Sequence, residues 1–516
     1  MNLTRAIATI GGWTLLSRLT GLLREVLIAR YLGAGMVSDA FFVAFRFPNL
    51  FRSLFAEGAF NPAFVPLFAG RLEEEGADSA RQFAEHCYAV LIAILLGFVA
   101  VMEMIMPWAM PLLAPGFDDL PGKMALAVEL SRITFPYLLF ISMVSLQSGV
   151  LNAMGRFAAA AAAPVLLNVV SIGALVALVP YTPTAGHAMA WGVFASGVAQ
   201  FLWLVRAVRR ADMRLRLVWP RLSPDVVLML KRVVPGAVGA GVYQINLTVN
   251  TMIASLVANG AVSYLNYAER VNQLPLGVVG VAIGTALLPL LSRQLRAGET
   301  EAALASQNRA MEMGLLLTLP AAAGLMTLAH PIITVLFQRG SFTAADSLAV
   351  GHVLMVLAAG LPAYVLVKVL TPGFFAREDT RTPVRVAALC MAINVGLNLA
   401  LMMPLGYVGM ALSTALAAWF NVAALMWILH RRGFFIIDAR LKARLPRILL
   451  ACVLMAAALW AARQGLTPWL ARPYWRMLAL ALLMAVGMGS YGAAAFLCGA
   501  THVADLKALL RRRRAA

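Results

Sequence analysis

The sequence predicts an all-α integral membrane protein with about fourteen transmembrane helices. Of its 516 residues, 61% are hydrophobic and only 13% charged, and the mean hydropathy is +0.82. A soluble domain is about half apolar and about a quarter charged. Long apolar runs recur throughout, for example 88–100, 164–179 and 477–489, and a helix of about 20 residues crosses a bilayer. Basic residues also gather in alternate loops, the signature of a chain that threads a membrane repeatedly.

Hydropathy places the spans near 7–32, 37–58, 83–112, 125–152, 160–180, 186–206, 233–258, 263–292, 310–336, 347–370, 386–403, 407–429, 448–463 and 477–498. The first two turn at the glycines of 33–35 and are unusual in carrying several charges. The third to sixth are strongly apolar. The eighth carries Glu269, Arg270, Asn272 and Gln273, followed by Pro275, Gly277, Gly280 and Gly284. The tenth contributes Lys368 ahead of Pro372 and Gly373. The last two have almost no interior charge, which suits them to face lipid or to receive a lipid chain.

The loop after the sixth span holds Arg206, Arg209, Arg210, Arg214, Arg216, Arg221, Lys231 and Arg232. The loop after the twelfth holds Arg431, Arg432, Arg440, Lys442, Arg444 and Arg447, and 511–514 are all arginine. The opposite loops 33–38, 182–187, 259–263 and 405–406 contain no lysine or arginine. Both termini are therefore expected on the cytoplasmic side. The net charge of +19 reads as a basic, membrane-facing cytoplasmic surface, and nucleic acid is not an expected partner. No cleavable signal peptide is evident, because Arg18 and Arg24 interrupt the first apolar segment.

Cys87, Cys390, Cys452 and Cys498 are isolated in apolar stretches and read as small buried hydrophobes. The six histidines are scattered, and the acidic run 73–75 reads as a solvated turn, so no metal centre is indicated. No hydrophilic segment is long enough for a soluble catalytic domain. Enzyme chemistry at the membrane needs a clustered acid, histidine or metal site, and none stands out.

A weak internal echo divides the chain. Ala63-Phe64-Val65-Pro66-Leu67 precedes a polar stretch that begins at Arg71, and Ala286-Leu287-Leu288-Pro289-Leu290 precedes one that begins at Arg293. The offset is close to half the chain, as parallel six-helix repeats require. The expected division is 1–222 and 223–432 as two six-helix lobes, with 433–516 as two additional helices and a basic tail.

Arg18, Arg24, Arg30, Arg46 and Arg52 lie in the first two apolar segments, with only Glu25, Asp39 and Glu57 as acids. A charge at bilayer depth costs about 2.5 to 3.5 kcal/mol on insertion scales and persists where it lines a polar cavity or finds a partner. Adding Arg270, Lys368 and Glu269 gives seven cations against four acids, a surplus suited to a diphosphate, whose oxygens guanidinium forks hold bidentately. Some of these charges are also explained as packing salt bridges or as side chains reaching an interface. Arg30, near a helix end, reads as structural, and Arg46 fits either role. Arg18, Arg24, Arg52 and Arg270 read as ligand-facing. Asp39 and Glu57 are expected to pair with arginines and hold the cavity shape, supported by Ser17, Glu25, Asn49, Glu269 and Lys368. An antiparallel hairpin would set Arg30 level with Asp39. Pro48 and Gly21 are expected as bendable points.

Ser17-Arg18-Leu19-Thr20-Gly21-Leu22-Leu23-Arg24-Glu25, the run from Asp39 through Arg46, Pro48 and Asn49 to Arg52, and Phe55-Ala56-Glu57-Gly58 closely resemble the MurJ (MviN) lipid II flippases. Tyr267-Ala268-Glu269-Arg270 and the segment from Val367-Lys368 to Arg377 extend the likeness nearly end to end. The resemblance implies a fourteen-helix member of the multidrug/oligosaccharidyl-lipid/polysaccharide exporter superfamily in the bacterial inner membrane. Two six-helix lobes would surround a central cationic cavity, with a groove by the last two helices for a polyprenyl tail. It marks Arg18, Arg24, Asp39, Arg52 and Arg270 as the critical charges. Gln273 departs from the family, which often has an acid there.

The implied activity is alternating-access translocation of lipid II, the undecaprenyl-diphosphate-linked disaccharide-peptide, to the outer leaflet. Its expected partners are that lipid and the phospholipid bilayer, with cell-wall synthesis proteins as further candidates. No cofactor is implied. The absence of a Walker A sequence points away from ATP and toward the membrane potential or an Na+ or H+ gradient. Asn246, Asn250 and Asn394 are polar residues within helices that packing explains equally well. Export of another undecaprenyl-linked glycan, or of drugs by ion antiport, is the alternative within the superfamily.

Overall fold

The computed structural model describes residues 3–53 and 60–501, and they form sixteen α-helices. The chain divides into two compact units, one of 1–263 with 339–343, the other of 264–338 with 344–516.

The first unit contains α1 (Leu3–Leu32), α2 (Met36–Arg52), α3 (Asn61–Glu74), α4 (Ala77–Leu113), α5 (Lys123–Thr134), α6 (Tyr137–Ala153), α7 (Phe157–Leu178), α8 (Ala185–Arg209) and α9 (Pro224–Val257). The span expected over 125–152 is two helices, because Pro136 cannot donate a backbone hydrogen bond and α5 ends beside it. α1 packs chiefly on α7, and α2 on α5. α1 and α2, joined by the short turn at 33–35, touch each other only slightly. Phe47 and Phe51 of α2 pack with Phe98 and Phe135 at centroid separations of 4.9 to 5.9 Å. Segment 339–343 closes over the end of α1, where the Ser341 N–H donates to the Arg30 carbonyl at 2.8 Å. Gly340 adopts φ +61° there, and a Cβ would lie 2.3 Å from that same carbonyl oxygen.

The second unit takes α10 (Ala261–Arg296) from Tyr264 onward, then α11 (Thr300–Phe337), α12 (Ala344–Ala359), α13 (Leu361–Phe375), α14 (Arg381–Arg431), α15 (Ala439–Ala471) and α16 (Arg476–Leu497). α14 unites the two spans expected over 386–403 and 407–429, and it bends where Gly406 takes φ 58° and ψ −137°. Leu366, Val369 and Leu370 of α13 form the core with Met311, Leu315, Val422 and Leu425. The Glu312 carboxylate is buried and accepts from Arg309, Arg440 and Arg444, tying the start of α15 to α11. Asp438 caps α15 by accepting the Leu441 N–H at 2.7 Å. Tyr491 of α16 donates to the Leu316 carbonyl at 2.7 Å.

Nine helical stretches among the described residues are long and apolar enough to cross a membrane. Four further helices, α1, α2, α9 and α10, coincide with spans expected from hydropathy. Counting these four, and α14 as two arms about its bend, gives one described stretch for each of the fourteen spans expected, with the short α3 outside them. Cys87, Cys390 and Cys452 are buried without disulfides, as the apolar context predicts, and Cys498 is half-buried.

Candidate functional site: charges within the helices

α1 presents its two central arginines differently. Arg24 is buried and its guanidinium lies 3.0 Å from the Glu25 carboxylate. Its Nε has no hydrogen-bond partner among the described residues. Arg18, six residues earlier, is exposed, and no ion pair or hydrogen bond to its side chain is found among the described residues. The face of α1 toward α7 is polar at this level. Asn168 donates to the Ser17 carbonyl at 2.9 Å and to Thr20 Oγ1 at 3.1 Å, and Gly21 packs against the same amide. α1 runs unbroken through Gly21.

In α2, Pro48 withholds the N–H that would serve the Ala44 carbonyl, four residues earlier. The Thr134 hydroxyl of α5 donates to that carbonyl at 3.1 Å instead. Asn49 donates to the Phe45 carbonyl at 3.0 Å and accepts Arg52 Nε at 2.9 Å. Asn49 thus orients Arg52 at the end of the helix. Arg46 donates to Thr251 of α9 at 2.6 Å. Glu57 lies outside the described residues.

Asp39 is fully buried, and its partner corrects an expectation. It pairs with Lys123 at 2.8 Å and not with an arginine. It also accepts the backbone N–H groups of Gly260 at 2.7 Å and Ser263 at 2.9 Å, and the Ser263 hydroxyl at 2.6 Å. A carboxylate is favoured here because it meets orphan N–H groups at the N-terminus of α10. Lys123 donates further to Asn259 at 2.9 Å and stands 4.3 Å from the centre of the Phe117 ring. Sequence reading missed Lys123 as the partner of Asp39. The available signal was a lone lysine just before an apolar span with no other cation nearby.

In the second unit, Arg270 is exposed and Glu269 half-buried. Gln273 donates to Glu269 at 3.0 Å, one helical turn away. The amide therefore supports the carboxylate, where a second acid would repel it. Lys368 of α13 lies along Gly280 of α10, where a Cβ would come within 3.1 Å of Lys368 Cδ. Asn394, considered above as a polar candidate, accepts from Asn398 within α14 at 3.4 Å.

Sixteen helices and repeated membrane-length rods among the described residues define an all-helical membrane protein. The family model described as "Lipid II flippase MurJ" matches residues 28–479. A "Probable lipid II flippase MurJ" of Rhizobium meliloti (strain 1021) is 45% identical, covering 99% of this chain and 97% of the relative. The "Lipid II flippase MurJ" of Burkholderia cenocepacia is 38% identical over 84% of this chain and 85% of its own length. A solved structure, "Lipid II flippase MurJ, inward closed conformation", superposes with a TM-score of 0.78 at 25% identity, over 94% of this chain and 97% of that one. An inward-facing multidrug resistance MATE family transporter of the MOP superfamily shares the fold, with a TM-score of 0.68 at 16% identity over 81% of this chain and 94% of its own. The chain belongs to the MurJ lipid II flippase family, whose members are transporters and not enzymes.

Proposed function

We propose that this protein moves lipid II from the cytoplasmic to the outer leaflet of the bacterial inner membrane by alternating access. Its arginines replace water around the diphosphate while the polyprenyl chain stays in lipid. The observation that carries the reading is Arg18, exposed and without a partner among the described residues, in an otherwise membrane-length helix. A charge so placed costs free energy unless something anionic meets it. Arg24, Arg52 and Arg270 are assigned to the same headgroup, with Ser17, Asn49, Glu25, Glu269 and Lys368 setting their positions. Both termini are assigned to the cytoplasm, from the basic loops.

The drive is the membrane potential or an ion gradient. An inside-negative potential works on each charge moved by about 2.3 kcal/mol per 100 mV, pushing an anion outward and drawing an empty cationic site back. A cationic-drug exporter would need the opposite charge balance. The test is translocation by the purified protein in vesicles, with and without an imposed potential, offering lipid II, a different undecaprenyl-linked glycan and a cationic drug. Lipid II is expected to cross, and to cross faster with the potential. Transport of the drug alone would overturn the proposal, and indifference to the potential would remove the voltage drive.

A further inference from the structure

A second concentration of arginine lies at the far end of α8, within the first unit. Arg206, Arg209, Arg210 and Arg214 line a cavity of about 680 Å³. Its other wall is apolar and includes Leu166 of α7 with Leu202 and Trp203 of α8. Residues 202, 203, 206, 209 and 210 follow one helical stripe, since positions three and four apart are neighbours. The stripe is apolar and then abruptly basic.

The chain beyond α8 completes the basic wall. Asp212 takes φ 59°, and the Met213 N–H returns to the Val208 carbonyl at 3.2 Å. Ala211 and Met213 are buried and pin this turn, which folds Arg214 back beside the arginines of the helix. Trp203 is fixed at the boundary by its indole N–H, which donates to the Ala159 carbonyl at 3.2 Å. No carboxylate pairs with any of the four guanidinium groups among the described residues. The basic loop of the second unit contrasts with this, because Arg440 and Arg444 share Glu312 and Arg432 meets Asp379. A helix dipole favours cations in the last turn, but it explains neither Arg214, beyond that turn, nor the exposed Leu202 and Trp203 beside it.

We propose that this cavity binds an anionic glycerophospholipid, with its phosphate among the four arginines and its acyl chains along Leu166, Leu202 and Trp203. Guanidinium forks match phosphate oxygens, and tryptophan prefers the headgroup level. A zwitterionic lipid is disfavoured because its amine would enter the same cationic cluster. The site is independent of the flipping assignment and uses none of its residues.

Photoactivatable phosphatidylglycerol or phosphatidylcholine, at equal minor abundance in nanodiscs holding the full-length protein, tests this. Adducts within 199–214 are expected to be about tenfold more abundant with phosphatidylglycerol, the contribution of one or two well-placed cations. The Arg206→Gln/Arg209→Gln/Arg210→Gln variant is expected to lose the preference. The charge-matched Arg385→Gln/Arg431→Gln/Lys442→Gln variant is expected to keep it. Glycerol phosphate in excess is expected not to compete; full competition would make the occupant a free phosphate and overturn the proposal. Equal labelling of the unaltered protein by both lipids overturns it without reference to any variant, as does equal loss of preference in both triple variants.

Discussion

The Lys123 ammonium sits 2.8 Å from the Asp39 carboxylate, with both side chains shut away from solvent. The pair joins the start of α5 to α2, and through Gly260 and Ser263 it fastens the first turn of α10. Removing one member of a buried pair costs about 3–5 kcal/mol, because the other charge is stranded. Lys123→Met is therefore expected to lower the melting temperature of the detergent-purified protein sharply. The Asp39→Ala/Lys123→Met double variant should fall short of the summed single losses by about 1–3 kcal/mol. Simple additivity in unfolding measurements would mean that the two charges do not act as a pair.

Arg18 and Arg24 should fail in different ways when shortened. Arg18→Ala removes no internal partner found among the described residues, so thermal stability is expected to stay near that of the parent. Lipid II translocation is expected to drop about tenfold or more, the loss of one charge-assisted phosphate contact of at least about 1.5 kcal/mol. Arg24→Ala also strips the buried Glu25 of its ion pair, so it should lose both transport and stability. Transport assays paired with melting curves separate the two, and an Arg18→Ala protein that melts normally and transports normally would remove Arg18 from the site.

Thr134 is expected to matter only because of Pro48. Thr134→Val leaves the Ala44 carbonyl without its donor, at a cost of about 1–3 kcal/mol. Adding Pro48→Ala restores a backbone N–H four residues on, so the double variant should recover most of that loss. Chemical unfolding of the single and double variants reads this directly, and no recovery would show that the Thr134 hydroxyl is not standing in for the missing amide.

Asp379, in the loop before α14, provides a pH-dependent contact. Hydrogen bonds from the Thr382 hydroxyl and N–H, with Arg432 at 2.6 Å, hold its carboxyl well below the usual carboxylate range. A carboxyl depressed on folding adds stability that is present above its unfolded pKa of about 3.9 and is lost as pH falls through the folded value. Asp379→Asn should accordingly melt lower than the parent at neutral pH, and the gap should narrow as pH drops below about 4. A gap that stays constant into acid would show that the carboxylate charge is not what stabilises the loop.

Local chemistry determined much of what the sequence alone revealed. Hydropathy and the alternation of basic loops define the spans, Pro48 marks an interrupted helix, and the Arg18-to-Arg52 block identifies the family, because each of these signals lies within a few turns of chain. Contacts between distant residues decided the rest. Arg18 and Arg24 look alike in sequence, yet six residues of helix turn them to different faces, and only the folded chain leaves one exposed and the other buried. The same holds for Asp39. Its charge is legible at once, but its partner lies 84 residues away and the N–H groups it accepts are more than 200 residues along the chain. A buried carboxylate must be neutralised by whatever donors the fold delivers, and no local pattern names them.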